Sequence, residues 1–245
     1  SRDPSPAPRR GTVPSIVGVR RHPRRPSLET ARMSWELFLL LVEASGLTIL
    51  YSAVSILIGF FLSAGVCAGL LSANRLAASA ARLFVSFFRG TPLLIQLLLI
   101  YYLLPRIGLN VPSEVAAIVG LSLCTSAYQA EILRGGFQSV PRGLVEAADM
   151  CGLSAFATFR RIRLPIAVRL TLPALTSEAI MILKSSSLIS VVGVVELTTM
   201  AKDLASSTYQ PLPIFAAAGF VYLVINLVVA ACGSLAERSA RRGHA

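Results

Sequence analysis

Long apolar runs with few charged residues recur along most of the chain, and short segments that carry most of the charges separate them. The clearest run, Leu47 to Leu71, can cross a hydrocarbon core of ~30 Å at a helical rise of ~1.5 Å per residue. Further runs lie at about 83–104, 114–134, 171–195 and 213–235. The pattern predicts an all-α polytopic membrane protein with about five transmembrane helices.

Several residues refine the ends of these spans. The segment 35–42 is apolar with a glutamate near either edge, which predicts a separate helix in the membrane interface. In the second span, the Gly-Thr-Pro sequence at 90–92 weakens the helix and indicates a bend or a close helix contact. We expect Pro105 to end that span, and Gly135 and Gly136 to end the third.

Ionisable side chains within the spans are costly and need water or a partner. Arg89 lies close enough to the start of its span to reach the headgroups. Glu131 and Arg134 are three residues apart on one helix and can pair. The fourth span is the least apolar and carries Glu178 and Lys184, so Lys184 is either a functional residue or half of a structural ion pair.

Composition and charge agree with a membrane protein. Hydrophobic residues make up 54% of the chain and charged residues only 14%, which excludes an ordinary soluble domain. The tail at 1–32, with eight arginines and two acidic residues, supplies +6 of the net charge of +11; we interpret the arginines between apolar runs as topology determinants and expect no nucleic-acid partner. The four cysteines show no CxxC pairing, and His22 and His244 both lie in the tails, so no metal site or disulfide framework is expected.

The two ends of the chain differ from the middle. Residues 1–32 are rich in arginine and proline and lack apolar periodicity, which predicts disorder. This tail is either a lipid-binding arm or a segment upstream of a start at Met33. The chain therefore divides into a tail at 1–32, a membrane domain at 33–240 and a short basic end at 241–245.

One long polar loop, at about 137–165, interrupts the apolar pattern. Its second half, EAADMCGLSAFATFRRIRLP, predicts two short helices joined at Gly152, where a left-handed turn suits glycine. Ser154 can cap the second helix, and we expect Pro165 to close it. A loop with these signals is structured.

The loop matches E-A-A, three residues, Gly, nine residues, Ile-x-Leu-Pro, and each fixed position is filled. These positions are Glu146, Ala147, Ala148, Gly152, Ile162, Leu164 and Pro165. The chain thereby resembles the permease subunits of bacterial ATP-binding-cassette (ABC) importers, in which this motif forms the cytoplasmic coupling loop. The alternative is a surface hairpin with Phe156, Phe159 and Ile162 packed on the membrane.

Two further segments resemble the polar amino acid branch of that family. The first is Arg-Gly-Thr-Pro at 89–92, followed by an apolar run with Gln96; the second is AYQAEILRGGFQSVPRGLVEAA at 127–148. The family usually has Lys-Asp-Thr-Ser-Leu where this chain has Lys-Ser-Ser-Ser-Leu at 184–188. The missing aspartate removes a counter-charge for Lys184.

The resemblance implies a type I importer permease fold, with cytoplasmic coupling helices, in the bacterial inner membrane. It implies as partners a dimer of ABC ATPase subunits, a second permease subunit, an extracytoplasmic solute-binding protein and membrane lipid. The chain has no P-loop, so ATP and Mg²⁺ would be used by the ATPase, and no cofactor is expected here. The expected solute is a polar amino acid, or an opine, cystine or related derivative. The candidate residues for the solute pathway or its gate are Arg89, Gln96, Glu131, Glu178 and Lys184.

Two hypotheses of other classes remain open. A gated channel would also place Glu178 and Lys184 in a pore, but it would not need a structured coupling hairpin. An intramembrane enzyme would need a nucleophile, and Ser185 to Ser187 beside Lys184 imitate a Ser-Lys dyad. Neighbouring residues on a helix point in different directions, which is a poor arrangement for such a dyad.

Arginine and lysine positions predict the orientation. If the polar loop at 137–165 is cytoplasmic, only Arg106 and Lys202 lie outside. The residues placed inside are Arg75, Arg82, Arg134, Arg142, Arg160, Arg161, Arg163, Arg169, Arg238, Arg241 and Arg242. Five spans then put the amino terminus outside, which the eight arginines of the tail contradict unless Met33 is the start.

Overall fold

The computed structural model describes residues 34–242, and the predicted tail at 1–32, Met33 and the last three residues lie outside this range. The described part is built from helices. Nine are α-helical: α1 (Trp35–Leu70), α2 (Arg75–Gly90), α3 (Leu93–Arg106), α4 (Ser113–Gln138), α5 (Arg142–Met150), α6 (Ala155–Thr158), α7 (Leu164–Ser185), α8 (Leu197–Thr208) and α9 (Pro211–Arg242). A π-helical turn (Phe159–Arg163) joins α6 to α7, and a 3-10 helix (Ser186–Val192) follows α7.

The membrane-spanning elements agree with the predicted fold class. Four described segments are long and apolar enough to cross a bilayer: α1, α4, the continuous stretch that contains α7, and α9. The pair α2 and α3 is a fifth if the bent pair is one span. The chain is an all-α polytopic membrane protein with about five spans.

Helix α1 is longer than predicted. It runs without a break for 36 residues, and the hydroxyl of Ser34 caps its start by accepting from the backbone N–H of Leu37 at 3.4 Å. No helix breaker separates 35–42 from the span, so the separate interfacial helix predicted there is wrong. The first turns of α1 instead pack against α8 and α9, where Leu41 is fully buried.

The second span is broken, as its sequence indicated. Helices α2 and α3 meet at an angle of 108°, with Thr91 in an extended conformation between them and Pro92 before the first turn of α3. The span predicted at 83–104 is therefore a bent pair of helices and not one continuous helix, and the predicted bend is confirmed. Pro105 does not end the helix before it, because α3 continues to Arg106.

Helix α4 is the centre of the bundle and packs against α1, α3 and α7. Gly59 of α1 lies against Ser122 and Thr125 of α4, and Gly136 of α4 lies against α7. The expectation that Gly135 and Gly136 end this helix is wrong, since it continues to Gln138. At Gly136 the missing side chain serves close packing between helices.

Helix α7 begins directly from the polar loop. Pro165 lies in its first turn, and α7 continues directly from the π-turn, so the expectation that Pro165 closes the preceding helix is wrong. At the other end, the 3-10 helix stops at Gly193, which has φ +82°. Glu196 then caps α8, which leads to α9.

Candidate functional site

The polar loop forms the predicted helical hairpin. Helix α5 ends in a turn in which the N–H groups of Cys151, Gly152 and Leu153 donate to carbonyls of α5 at 3.0 Å. Gly152 has φ +72°, a left-handed conformation that favours glycine. Ser154 caps α6 by accepting from the N–H of Ala157 at 3.2 Å. The two-helix prediction is confirmed, with its second helix continuing into α7.

The coupling motif divides between two faces of α5. Glu146 and Ala147 are exposed, whereas Ala148 is only 4% exposed and packs inward. Met150, at the end of the same helix, is 89% exposed. One face of α5 therefore packs against the rest of the protein. The opposite face is exposed and carries an acidic residue, with an apolar residue at the end of the helix.

A cleft of about 490 Å³ separates α5 from the end of α4 and the π-turn. Glu146 and Arg163 both line it, together with Phe137, Gln138, Val140, Arg142 and Val145. No ion pair joins Glu146 to an arginine among the residues that the structure describes. The carboxylate of Glu146 is thus available to a partner.

The remaining motif residues belong to the joint between the hairpin and the membrane helix. Ile162 lies in the π-turn and is half-buried; Leu164 and Pro165 form the first turn of α7. Phe159 of the same turn stacks on Phe137 of α4, with ring centroids 5.7 Å apart. The hairpin is therefore connected to α7 without a loop and braced on α4.

Within the membrane, the break between α2 and α3 borders a second cleft, of about 330 Å³. Arg89 is exposed at this cleft, with its guanidinium carbon 5.3 Å from the ring centroid of Tyr128. Ser185 of α7 lines the same cleft. The arrangement offers a cation and three hydroxyl-bearing side chains, Thr91, Tyr128 and Ser185, at the broken span.

Gln96 has a structural role at that break. Its amide nitrogen donates to the carbonyls of Phe88 and Thr91, both at 2.8 Å, and to the Thr91 hydroxyl at 2.9 Å. The side chain is 2% exposed. Gln96 therefore satisfies carbonyls that the interrupted helix leaves free, and it does not line the cleft.

Glu178 lies in a buried polar cluster between α7, α4 and α1. The hydroxyl of Thr125 donates to Glu178 at 3.1 Å, and the amide of Gln129 donates to Thr125 at 3.1 Å. Gln129 also reaches the carbonyl of Ile56 at 3.5 Å. Glu178 is 5% exposed, so its carboxyl group is enclosed by the bundle in this conformation.

Lys184 lies on another side of α7. It lines a groove of about 460 Å³ against α9, beside Tyr222 and Asn226. Its ammonium group forms no ion pair within the described range, so the alternative of a structural ion pair has no partner among the described residues. Glu131 and Arg134 do form the predicted pair, with Glu131 Oε2 2.6 Å from Arg134 Nη2.

The Ser-Lys dyad has no counterpart in the geometry. The hydroxyls of Ser186 and Ser187 donate to the backbone carbonyls of Leu183 and Lys184, at 2.8 and 2.9 Å. Neither hydroxyl is paired with the Lys184 ammonium group. In residues 34–242, no three His, Cys, Asp or Glu side chains converge in a way that could hold a metal ion.

Sequence reasoning missed the role of Glu196. This carboxylate is fully buried and accepts from the hydroxyls of Thr48 and Tyr222, at 3.3 and 3.0 Å, and from the N–H of Thr199 at 3.0 Å. It thus ties α1 and α9 to the start of α8. Glutamate is not among the residues preferred at an N-cap, so the sequence carried no clear signal for this role.

The fold and the exposed hairpin define a multi-span transport subunit. The model of the family described as binding-protein-dependent transport system inner membrane component matches residues 62–242. The chain belongs to this family. It is a permease subunit of the bacterial ABC importers, as the motif predicted.

Known proteins support this membership. The chain is 43% identical over 212 residues to the nopaline transport system permease protein of Agrobacterium fabrum, covering 82% of this chain and 88% of that protein. It is 37% identical over 199 residues to the histidine/lysine/arginine/ornithine transport system permease protein of Salmonella typhimurium, covering 75% of this chain and 83% of that protein. The resemblance to the amino acid branch is confirmed.

Solved structures agree on the fold. An amino acid ABC transporter crystallised with histidines matches with a TM-score of 0.78 at 33% identity, covering 83% of this chain and 95% of that chain. A methionine ABC transporter in an inward-facing conformation matches with a TM-score of 0.73 at 22% identity, covering 85% and 99%. The type I importer permease fold is thereby confirmed.

Proposed function

We propose that this chain is the translocation subunit of an ATP-driven importer for a polar amino acid or an opine, and that α5 couples it to a separate ATPase. The observation that carries the proposal is the hairpin, in which Glu146 and Ala147 face outward beside a cleft. An exposed alanine allows a partner to approach closely, and an unpaired carboxylate can accept from its basic or backbone donors.

The connection from α5 to the membrane supports a mechanical role. The turn at Gly152 and the π-turn lead into α7 without a flexible loop, and the Phe137–Phe159 stack links the same joint to α4. A rigid joint can pass a rigid-body motion of the ATPase to two central spans. ATP and Mg²⁺ belong to the partner in this scheme, and the permease side supplies only the contact surface.

The membrane-embedded polar groups support a charged or zwitterionic solute. Arg89 at the broken span and Lys184 on the α7–α9 groove are cations without an ion pair among the described residues. An unpaired ammonium group at membrane depth costs several kcal/mol unless it faces water or a partner. Either group would bind a solute carboxylate, which amino acids and opines both carry.

The exposed Lys184 groove also supports a second permease subunit. One chain with about five spans encloses no wide pathway of its own, and a facing copy or similar subunit would shield the groove from lipid. In this assembly the hairpin is cytoplasmic and the solute arrives from an extracytoplasmic binding protein. The resulting arrangement keeps the amino terminus of α1 outside.

Binding of the ATPase tests the coupling role directly. Detergent-solubilised wild type and Glu146→Lys are compared for capture of a candidate ABC ATPase. Asp203→Lys is the matched control, because Asp203 is also exposed but lies in α8, at the other end of the bundle. We expect loss of capture only in Glu146→Lys. Equal capture by both variants would remove α5 from the interface.

Transport tests the solute. The assembled importer in liposomes is assayed for ATP-dependent uptake of radiolabelled basic amino acids and opines. Lys184→Met should change the solute preference or raise the KM, whereas Lys202→Met, an exposed lysine of α8, should not. Uptake that continues without ATP would instead support the gated channel.

A further inference from the structure

A long apolar groove lies on the outside of the bundle, at the end where the hairpin is attached. It has a volume of about 580 Å³ and is formed by the last turns of α1 and α4, the π-turn and the first turns of α7. Its walls include Phe60, Ala64, Ala68, Leu133, Phe159 and Val168. Grooves of this volume and lining accept an apolar ligand of moderate size.

One charged side chain, Arg163, lines this otherwise apolar groove. Its Nε is buried and has no hydrogen-bond partner, and no described carboxylate forms an ion pair with it. The Arg163 guanidinium group therefore has no counter-charge among the described residues, and an anion at the edge of the groove would supply one. Arg160 and Arg161 precede it in the same π-turn and are exposed.

The groove and the arginines together fit an amphiphile. The groove occupies the hairpin end of three membrane helices, which is the depth at which acyl chains meet headgroups. The π-turn adds three guanidinium groups at that level. A basic cluster beside an apolar groove attracts an anionic headgroup whose tail continues into the groove.

We propose that this groove is a binding site for an anionic phospholipid of the leaflet on the hairpin side. One acyl chain lies between α1 and α7, and the phosphate accepts from Arg163, with Arg160 and Arg161 in its surroundings. The three arginines favour a lipid over a second copy of this protein, because an anionic headgroup supplies the charge that complements them.

The site has a consequence for the hairpin, because two of its residues are shared. Arg163 and Phe137 line both the lipid groove and the cleft beside α5. A lipid that orders Arg163 therefore also braces the joint through which α5 is attached to α7. The lipid site itself does not depend on the proposed transport function.

The test is lipid binding to the full chain. Delipidated protein in detergent is titrated with phosphatidylglycerol or phosphatidylcholine of equal chain length, and bound lipids are counted by native mass spectrometry. The variants are Arg163→Gln, which removes the headgroup contact, and Ala68→Phe, which fills the groove at an exposed position. The matched controls are Arg75→Gln and Ala53→Phe, both exposed and outside the groove.

We expect the wild type and both controls to retain one phosphatidylglycerol in preference to phosphatidylcholine. Arg163→Gln should weaken phosphatidylglycerol binding by about fivefold, the value of one basic residue near an anionic surface. Ala68→Phe should weaken both lipids. Equal affinity of the wild type for the two lipids, or variants that bind like their controls, would overturn the proposal. A wild type that forms a dimer and retains no lipid would assign the groove to a second copy.

Discussion

The contact between α4 and α7, immediately before the hairpin, gives a sharp test of the packing. A Cβ added at Gly136 would overlap the Cγ2 of Thr171 and lie 3.0 Å from the carbonyl oxygen of Ala167. Thr171 and Ala167 are both only 2% exposed, so neither has room to retreat. Gly135 is the matched control, because a Cβ there meets nothing within 4 Å.

The magnitude follows from the difference between the two alanine variants. Both variants replace a helical glycine by alanine. This change stabilises a helix by roughly 0.5–1 kcal/mol in either variant, so it cancels in the comparison. Only Gly136→Ala adds overpacking, which costs roughly 1–3 kcal/mol. At ~2–4 °C per kcal/mol for a domain of this size, a penalty of ~2 kcal/mol places Gly136→Ala ~4–8 °C below Gly135→Ala.

Thermal unfolding in one detergent at a fixed scan rate measures this difference. A second comparison uses Thr171→Ser, which removes Cγ2 but keeps the hydroxyl that donates to the Val168 carbonyl at 3.0 Å. In that background the penalty of Gly136→Ala should shrink, as expected for residues in contact. If the two alanine variants unfold within ~1 °C of each other, close packing at Gly136 does not limit stability and the reasoning fails.

Three further predictions concern the hairpin, the cap of α8 and the broken span. Gly152→Ala should strain the left-handed turn by ~1–2 kcal/mol and reduce solute-stimulated ATPase activity in liposomes. Gly152→Asn should lose less of this activity, because asparagine tolerates the left-handed conformation better than alanine. Equal losses of activity in the two variants would argue that backbone conformation is not the cause. Glu196→Ala removes the acceptor of the Thr48 hydroxyl and of the Thr199 N–H, whereas the Tyr222 hydroxyl keeps Thr198 at 2.9 Å, and it should lower the free energy of unfolding by ~2 kcal/mol. Glu196→Gln keeps one acceptor oxygen, so its free energy of unfolding should fall by less than half as much as in Glu196→Ala in the same unfolding assay. Gln96→Leu leaves the Phe88 and Thr91 carbonyls unpaired and should speed proteolysis near Thr91, whereas unchanged cleavage would show that Gln96 does not hold the bend.

The sequence was sufficient for the class of fold and for the hairpin. Apolar run lengths are set by the bilayer, so the spans could be counted without knowing how they pack. The turn at Gly152 was predictable because few residues adopt φ near +70° without strain. The predicted helix ends at Pro105 and Pro165 were wrong because α3 includes Pro105 in its last turn, and the helix that contains Pro165 continues past it from a π-turn.

The sites were harder to predict because a side chain's direction depends on neighbours distant in sequence. Arg89 and Lys184 both looked like pathway residues, but they lie on different clefts. Gln96 was also predicted to line the pathway, but the bend of the second span directs its amide toward the carbonyls of Phe88 and Thr91. Glu196 was overlooked because its partners, Thr48 and Tyr222, come from helices far away in the chain.

The buried face of α1 could not be identified from hydropathy. Lipid is as apolar as a neighbouring helix, so a large hydrophobic residue does not mark the packed face of a span. In α1, large side chains such as Leu57 and Phe61 are 60% and 75% exposed. Between Ser45 and Ser63 the buried positions recur every three or four residues and are small or hydroxyl-bearing: Ser45, Thr48, Ser52, Ser55, Gly59 and Ser63. Side-chain size, rather than hydropathy, therefore identifies the packed face in this part of α1, and the stripe could have been found in the sequence by this criterion.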